Sequence, residues 1–341
     1  MKYNTIARTD LVASVICMGT SDLGGSIAVE QSNELMDVYA ERGGNFIDSA
    51  EVYANWLPIE PSSSERFLGQ WIKSRGNRDR LILATKGGHP RLDTPDIRRV
   101  TPEDIGIDLE GSLRRLHTDY IDLYYLHRDD PEKSVELIIE TLEYYVRKGY
   151  IRYYACSNWT IPRIEEANRY ARSKGYNGFV AVQNLWNLGE VNPGAIQDPT
   201  MVISDHGIVD WHRRTGMTAV PYSSQANGFF SGRHRRAAEQ QPSSGIDVSR
   251  IYYSDMNFDR LERAERMARE MGVTSTQIAL AYLIAHPFPV FPIVGCKKKE
   301  HLLDSLLAAD VYLDYEAAAS LIAEDADSWF ATLGGGTNGD A

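Results

Sequence analysis

A (β/α)8 TIM barrel is the fold class that this sequence predicts, and three observations carry the prediction. Short apolar runs rich in β-branched and aromatic residues alternate with longer helical patterns, as βα units around a parallel sheet require. Eight such runs occur, at 14–18, 45–49, 81–86, 121–127, 151–157, 179–184, 218–223 and 289–294, which is the strand number of that barrel. Polar groups stand at or just past the carboxyl ends of the second to sixth runs: Asp48, Lys86, His127, Asn158 and Gln183. Barrels of this kind build their active sites at that end.

Helical patterns fill the intervals at 32–42, 64–74, 102–116, 134–148, 161–174 and 205–215. Two more, 259–271 and 275–286, precede the last strand, and 300–309 and 315–326 come after it. No proline- and serine-rich linker divides the chain, so residues 1–341 are expected to form one domain. That domain has an N-terminal hairpin region, a long loop at about 225–256 and a mobile glycine-rich tail over 333–341.

Composition excludes several classes. With 43% apolar and 24% charged residues, the chain is that of a soluble globular protein. A formal charge of −11 argues against nucleic acid and anionic membrane as partners. No run approaches a membrane span, and the N-terminus has no apolar signal core. Cys17, Cys156 and Cys296 are isolated, so neither a disulfide framework nor a metal site is indicated, and a cytoplasmic location is expected.

The chemistry sits in the strand ends. Asn45-Phe46-Ile47-Asp48 ends on a carboxylate, with Tyr53 one loop-length later. A phenol is a weak acid near neutral pH; an ammonium beside it, Lys86, favours the phenolate and eases proton donation. Asp48 holds Lys86 charged and oriented, and His127 donates to the substrate oxygen or relays a proton. Each residue alone has an ordinary structural role, as a cap, a packing ring or a solvated charge. At successive strand ends they form a set that protonates a carbonyl oxygen as hydride reaches its carbon.

Several segments resemble the aldo/keto reductase family, over the region from the N-terminal hairpin to about Ala309. They are Gly44-Asn45-Phe46-Ile47-Asp48-Ser49-Ala50-Glu51-Val52-Tyr53, Asp119 to His127, Lys148 to Tyr153 with Ser157-Asn158, Val220-Pro221-Tyr222-Ser223, and Ile293-Val294-Gly295. The resemblance implies Tyr53 as acid/base, Asp48 and Lys86 as its tuning pair, and His127 as the group that orients substrate. It also implies a nicotinamide cofactor without a Rossmann domain. Gly19, Thr20 and Asp48 border that site; Ser157, Asn158 and Gln183 bond the carboxamide, and Tyr222 stacks on the ring. Ser223, Ser224, Gln225, Gly228, Phe229 and Ser231 cover the pyrophosphate. Gly295, Lys297, Lys298, His301, Asp304 and Ser305 hold the adenosine phosphate end.

Lys297-Lys298-Lys299 opens a helix, where cations and the helix N-terminus suit a 2′-phosphate, so NADPH (NADP) is favoured over NADH. His301, Asp304 and Ser305 replace the family's usual adenine contacts, and Ala155 stands where glycine is common. Trp56 and Trp159, with Trp186 and Trp329, offer flat walls for an aromatic or sugar-like carbonyl substrate near Tyr53 and His127. His89 and Arg91 follow the third run, a place from which they could meet an acidic substrate, but surface placement is favoured. Gly334, Gly336 and Gly339 satisfy GxGxxG literally but follow no strand.

The leading reading is a reductase of aldehydes or ketones, reversible toward the alcohol. One alternative is a nicotinamide-binding regulatory subunit resembling channel-associated family members, with little turnover. Another is a lyase or isomerase using Lys86 as a Schiff base. The substrate and the oligomeric state stay open.

Overall fold

An antiparallel hairpin, β1 (Tyr3–Thr5) with β2 (Val12–Ser14), begins the chain and closes one end of the barrel. The computed structural model describes residues 1–236 and 246–322. Trp329, the glycine-rich tail, part of the expected 225–256 loop and the end of the last expected helix lie outside the described residues.

Eight parallel strands come next in chain order: β3 (Cys17–Gly19), β4 (Phe46–Asp48), β5 (Ile82–Gly87), β6 (Ile121–Leu126), β7 (Ile151–Ser157), β8 (Ala181–Gln183), β9 (Thr218–Ala219) and β10 (Ile293–Val294). Each pairs with the next from β3 to β9, and β10 pairs back on β3. Ala219 N donates to Pro289 O and Phe291 N to Ala219 O, both at 2.9 Å, which joins the last two strands and closes the barrel. Ser14 pairs in the hairpin, so the first barrel strand begins later than expected. The last two strands are shorter than expected because Pro221, Pro289 and Pro292 carry no N–H for the ladder.

The helices α1 (Val29–Glu41), α2 (Ser63–Arg75), α3 (Pro102–Leu116), α4 (Val135–Arg147), α5 (Ile161–Ser173) and α6 (His206–Thr215) lie between successive strands. Side-chain caps start several of them: Thr101, Ser134 and Asp205 accept from Asp104, Leu137 and Ile208 N–H groups. The expected long loop is partly helical, with a 3-10 segment (Ala226–Ser231), α7 (Val248–Tyr252) and α8 (Asp255–Met271). Ser254 caps α8 and so starts it four residues before the expected 259. Next come α9 (Ser275–Ile284), α10 (Lys299–Leu307) and α11 (Tyr315–Ser320).

Strand alternation sorts the core into two layers. Phe46, Ile82, Ala84, Leu123, Tyr125, Ala155, Ala181 and Phe291 form one buried cluster, joined by Ile6, Leu11 and Ala13 of the hairpin region. Their neighbours Ile47, Leu83, Tyr124, Leu126, Tyr154 and Cys156 pack in the other, with α1 to α5.

His212 on α6 is buried against Trp211 and Phe288, with Nδ1 2.8 Å from the Met217 carbonyl, and burial pushes its pKa down to about 4. The unfolded chain binds a proton at the ordinary value near 6.5, the native state only near 4. Between those pH values stability therefore falls as pH falls, on the order of 1–2 kcal/mol at pH 5. Urea melts of wild type and His212→Gln at pH 7.5 and 5 check this; the variant is expected to show a shallower loss.

Candidate active site

The side chains that stand two residues beyond the inner cluster point the same way. Asp48 follows Phe46, Lys86 follows Ala84, His127 follows Tyr125, Ser157 follows Ala155, and Gln183 follows Ala181. Register aligns them: Asp48 sits beside Ala84, Lys86 beside Tyr125, and Ser157 beside Gln183. The barrel mouth thus gathers five polar groups from five strands, all less than a tenth exposed.

Lys86 is the centre of the set. Its Nζ donates to Asp48 Oδ2 at 2.6 Å, to Ser49 O at 2.8 Å and to the Tyr53 hydroxyl at 2.9 Å. All three ammonium donors are spent. Gln183 Nε2 donates to the other Asp48 oxygen at 2.9 Å. Thr20 is fully buried, and its N–H and hydroxyl both donate to Asp48 O and hold that strand end. Tyr53 hangs on a turn tied to β5 through Glu51 N donating to Lys86 O at 3.0 Å.

Burial acts first on both titrating groups. It would depress Lys86, but Asp48 and Tyr53 outweigh it and raise the ammonium above its ordinary value. Burial raises Tyr53, and Asp48 adds to the rise, so the pull of Lys86 does not bring the phenol below its usual range. The expected lowering therefore does not hold in this state, because burial, with Asp48 adding to it, outweighs the ammonium.

His127 lies edge-on to Tyr53, ring centroids 6.0 Å apart, and its Nδ1 is buried with no partner among the described residues. Burial, then His89 and Arg128, hold its pKa well below the ordinary value, so the imidazole is neutral at neutral pH. His89 is not a surface residue: its ring packs 4.8 Å from that of His127. Trp56, about half exposed, meets the Tyr53 ring at 6.3 Å.

Three sequence-predicted residues fall elsewhere or present other atoms. Trp159 is fully buried behind the barrel wall against Phe179 and beneath Arg163, because the residue after Asn158 turns outward into α5. The Phe229 ring is buried among Phe230, Phe258 and Tyr252, leaving only its backbone toward a ligand. Asp304 accepts from Thr274 Oγ1 and Gln277 Nε2, so its carboxylate faces α9.

The family model for the aldo/keto reductase family matches residues 15–323. This chain belongs to the aldo/keto reductase family. Norsolorinic acid reductase B of Dothistroma septosporum is 30% identical, over 92% of this chain and 79% of that protein. Aryl-alcohol dehydrogenase [NADP(+)] of Phanerodontia chrysosporium is 32% identical, over 86% and 75%. Among solved structures, a thermostable aldo-keto reductase in complex with the inhibitor epalrestat matches with a TM-score of 0.71 at 26% identity, over 95% of this chain and 99% of that one. As an aldo/keto reductase the protein is an NAD(P)H-dependent oxidoreductase.

The residues present fit a nicotinamide dinucleotide. Ser223, Ala226, Asn227 and Gly228 all have φ between 48° and 85°, a run of left-handed backbone of the kind whose N–H groups make anion-binding hollows. Arg233 donates to Ser231 Oγ at 3.0 Å and lies beside Gly228, a cation at this loop that motif reading missed. Gly295 has open space where a Cβ would stand. Gly19 is closed to a side chain by Ile293. Lys298 stands at the N-cap position of α10 without a side-chain capping bond, and Lys297 and His301 are exposed beside it. Gln225 donates to the buried Ser305 hydroxyl at 2.9 Å and Ser224 to Ile293 O, which ties the two loops into one rim.

Asn158 is held at φ 60°, and both of its amide atoms are engaged. Its Oδ1 accepts from Tyr222 Oη at 2.9 Å and Val202 N at 3.1 Å; its Nδ2 donates to His127 O and Ser157 Oγ. A carboxamide bonds Asn158 only by exchanging one of these. Among the described residues no group of His, Cys, Asp and Glu could hold a metal, and no helix is long and apolar enough to cross a membrane.

Proposed function

We propose that this protein reduces aromatic aldehydes or ketones with NADPH, reversibly, with Tyr53 as the general acid. The observation that carries the reading is the Lys86 ammonium, bonded at once to the Asp48 carboxylate and the Tyr53 hydroxyl, beside a neutral imidazole. When bound, the nicotinamide supplies the hydride that the carbonyl carbon accepts. Tyr53 holds its proton through neutral pH and gives it to the carbonyl oxygen, and Lys86 stabilises the phenolate left behind. His127, uncharged, offers a ring N–H to the same oxygen and fixes its direction. A persistently charged Lys86 is a poor amine nucleophile, which weighs against Schiff-base chemistry.

Ser157, Asn158, Gln183 and Tyr222 would hold the nicotinamide, the 223–231 loop the pyrophosphate, and Lys297 and Lys298 the 2′-phosphate. The Phanerodontia relative, named for NADP(+), supports that preference. The exposed Trp56 ring beside Tyr53 favours an aromatic substrate, as does the name of the Phanerodontia relative, an aryl-alcohol dehydrogenase.

Fluorescence titration with NADPH and NADH, followed by a panel of aromatic and aliphatic aldehydes, tests the proposal. Tighter binding of NADPH and consumption of the aromatic members are expected. Trp56→Ala should raise KM for aromatic aldehydes about threefold to tenfold, the worth of one aromatic contact, with less effect on aliphatic ones. NADPH binding with no consumption of any carbonyl would instead fit a regulatory subunit.

A further inference from the structure

Next to His127 in the chain, Arg128 carries a largely buried side chain at the rim of the same mouth. Its Nε donates to Thr200 Oγ1 at 2.8 Å, Nη1 to His127 O at 3.0 Å, and Nη2 to Asp198 Oδ2 at 3.1 Å. A guanidinium has five N–H donors, so two remain after these contacts among the described residues. Lys86 has none left.

The charge of Arg128 reaches the groups around the cleft. After burial, the first influence on each, it adds to the lowering of His89 and His127 and opposes the rise of Tyr53 and Tyr222. The geometry beside it is direct: Nη1 is bonded to the His127 carbonyl, and the His127 ring touches those of Tyr53 and His89. Its acidic partner is held independently: Asp198 Oδ1 accepts from Thr200 N at 2.8 Å and Thr200 Oγ1 at 2.6 Å, and the side chain is 40% exposed. Nη2 can exchange Asp198 for another carboxylate without leaving either group buried and unpaired.

From this geometry we infer that Arg128 is a specificity-determining residue that selects carbonyl substrates bearing a carboxylate, with Asp198 as a built-in competitor. The inference rests on the reductase reading for its substrate. Arg128 touches neither the carbonyl nor the transferred proton; it pairs with the substrate's remote anion and sets KM more than kcat.

The test uses full-length protein loaded with NADP(+) and two aldehydes, 4-formylbenzoate and its neutral methyl ester, which that oxidised complex cannot reduce, titrated calorimetrically. Arg128→Met should weaken the benzoate about tenfold to a hundredfold, the worth of a charge-assisted pair, and the ester far less. Arg128→Lys should fall between, since it restores charge but not the fork. Asp198→Asn should tighten the benzoate. Equal losses for both aldehydes in Arg128→Met, or equal benzoate affinity in that variant and wild type, would overturn the inference and leave Arg128 as a fastener of the 198–202 loop. Turnover of both with NADPH is read separately. Selective binding without turnover would uphold Arg128 and count against reduction.

Discussion

Replacing Lys86 with methionine is expected to abolish turnover and to lower stability by about 3–5 kcal/mol, the usual result of breaking a buried ion pair by removing one partner. The physical reason is local. Lys86 is wholly buried and Asp48 is 1% exposed, so the carboxylate loses its counter-charge in a place water does not reach. Gln183 Nε2 is then the side-chain donor left on it. Asp48→Asn in the same background should recover much of the stability, because an amide carries no charge to strand, while activity stays lost. Denaturant melts of the two variants measure the first effect, and NADPH oxidation measures the second. A single variant as stable as wild type would mean that the pair is not charged as described.

Tyr53→Phe should leave the fold and NADPH binding near wild type and reduce turnover by roughly a hundredfold to ten-thousandfold, the span of a lost general acid. The ring contacts persist in this variant: Trp56 and His127 pack on its edges, and the Lys86 ammonium stays about 4.5 Å from the ring centre. What disappears is the proton and one acceptor for Lys86. A drop in KM alone would point away from acid catalysis, because proton donation is made in the transition state.

Much of this arrangement is written in period-two spacing. Phe46 and Asp48, Ala84 and Lys86, Tyr125 and His127 each repeat the rule that residues two apart share a strand face, so a run that ends polar aims its last group at the mouth. What escaped the sequence lies off the strands. Arg128 and Arg233 belong to loops whose side chains find partners through the fold, Asp198 and Thr200 for the first, and no spacing encodes such distances. His89 looked like a surface residue because the turn after Gly88, at φ 74°, reverses the chain and brings its ring over His127. Trp159 misled for the opposite reason: its neighbour Asn158 adopts a left-handed conformation, which sends the next side chain behind the wall. Asp304 enters the expected adenine end only through the family resemblance, whereas its partners Thr274 and Gln277 sit on a separate helix start. The direction of the Tyr53 shift needed burial as well as neighbours, and burial is a property of the whole barrel.

In the proposed mechanism a phenol held by an ammonium–carboxylate pair delivers the proton while the carbonyl is reduced. Stopped-flow absorbance of NADPH, mixed as a preformed complex with an aromatic aldehyde, addresses it directly in wild type and in Tyr53→Phe. Fluorescence titration first establishes that both bind NADPH. The expected result is rapid loss of the NADPH signal in wild type and none on the same timescale in the variant. Equal single-turnover rates in the two proteins would contradict the role given to Tyr53.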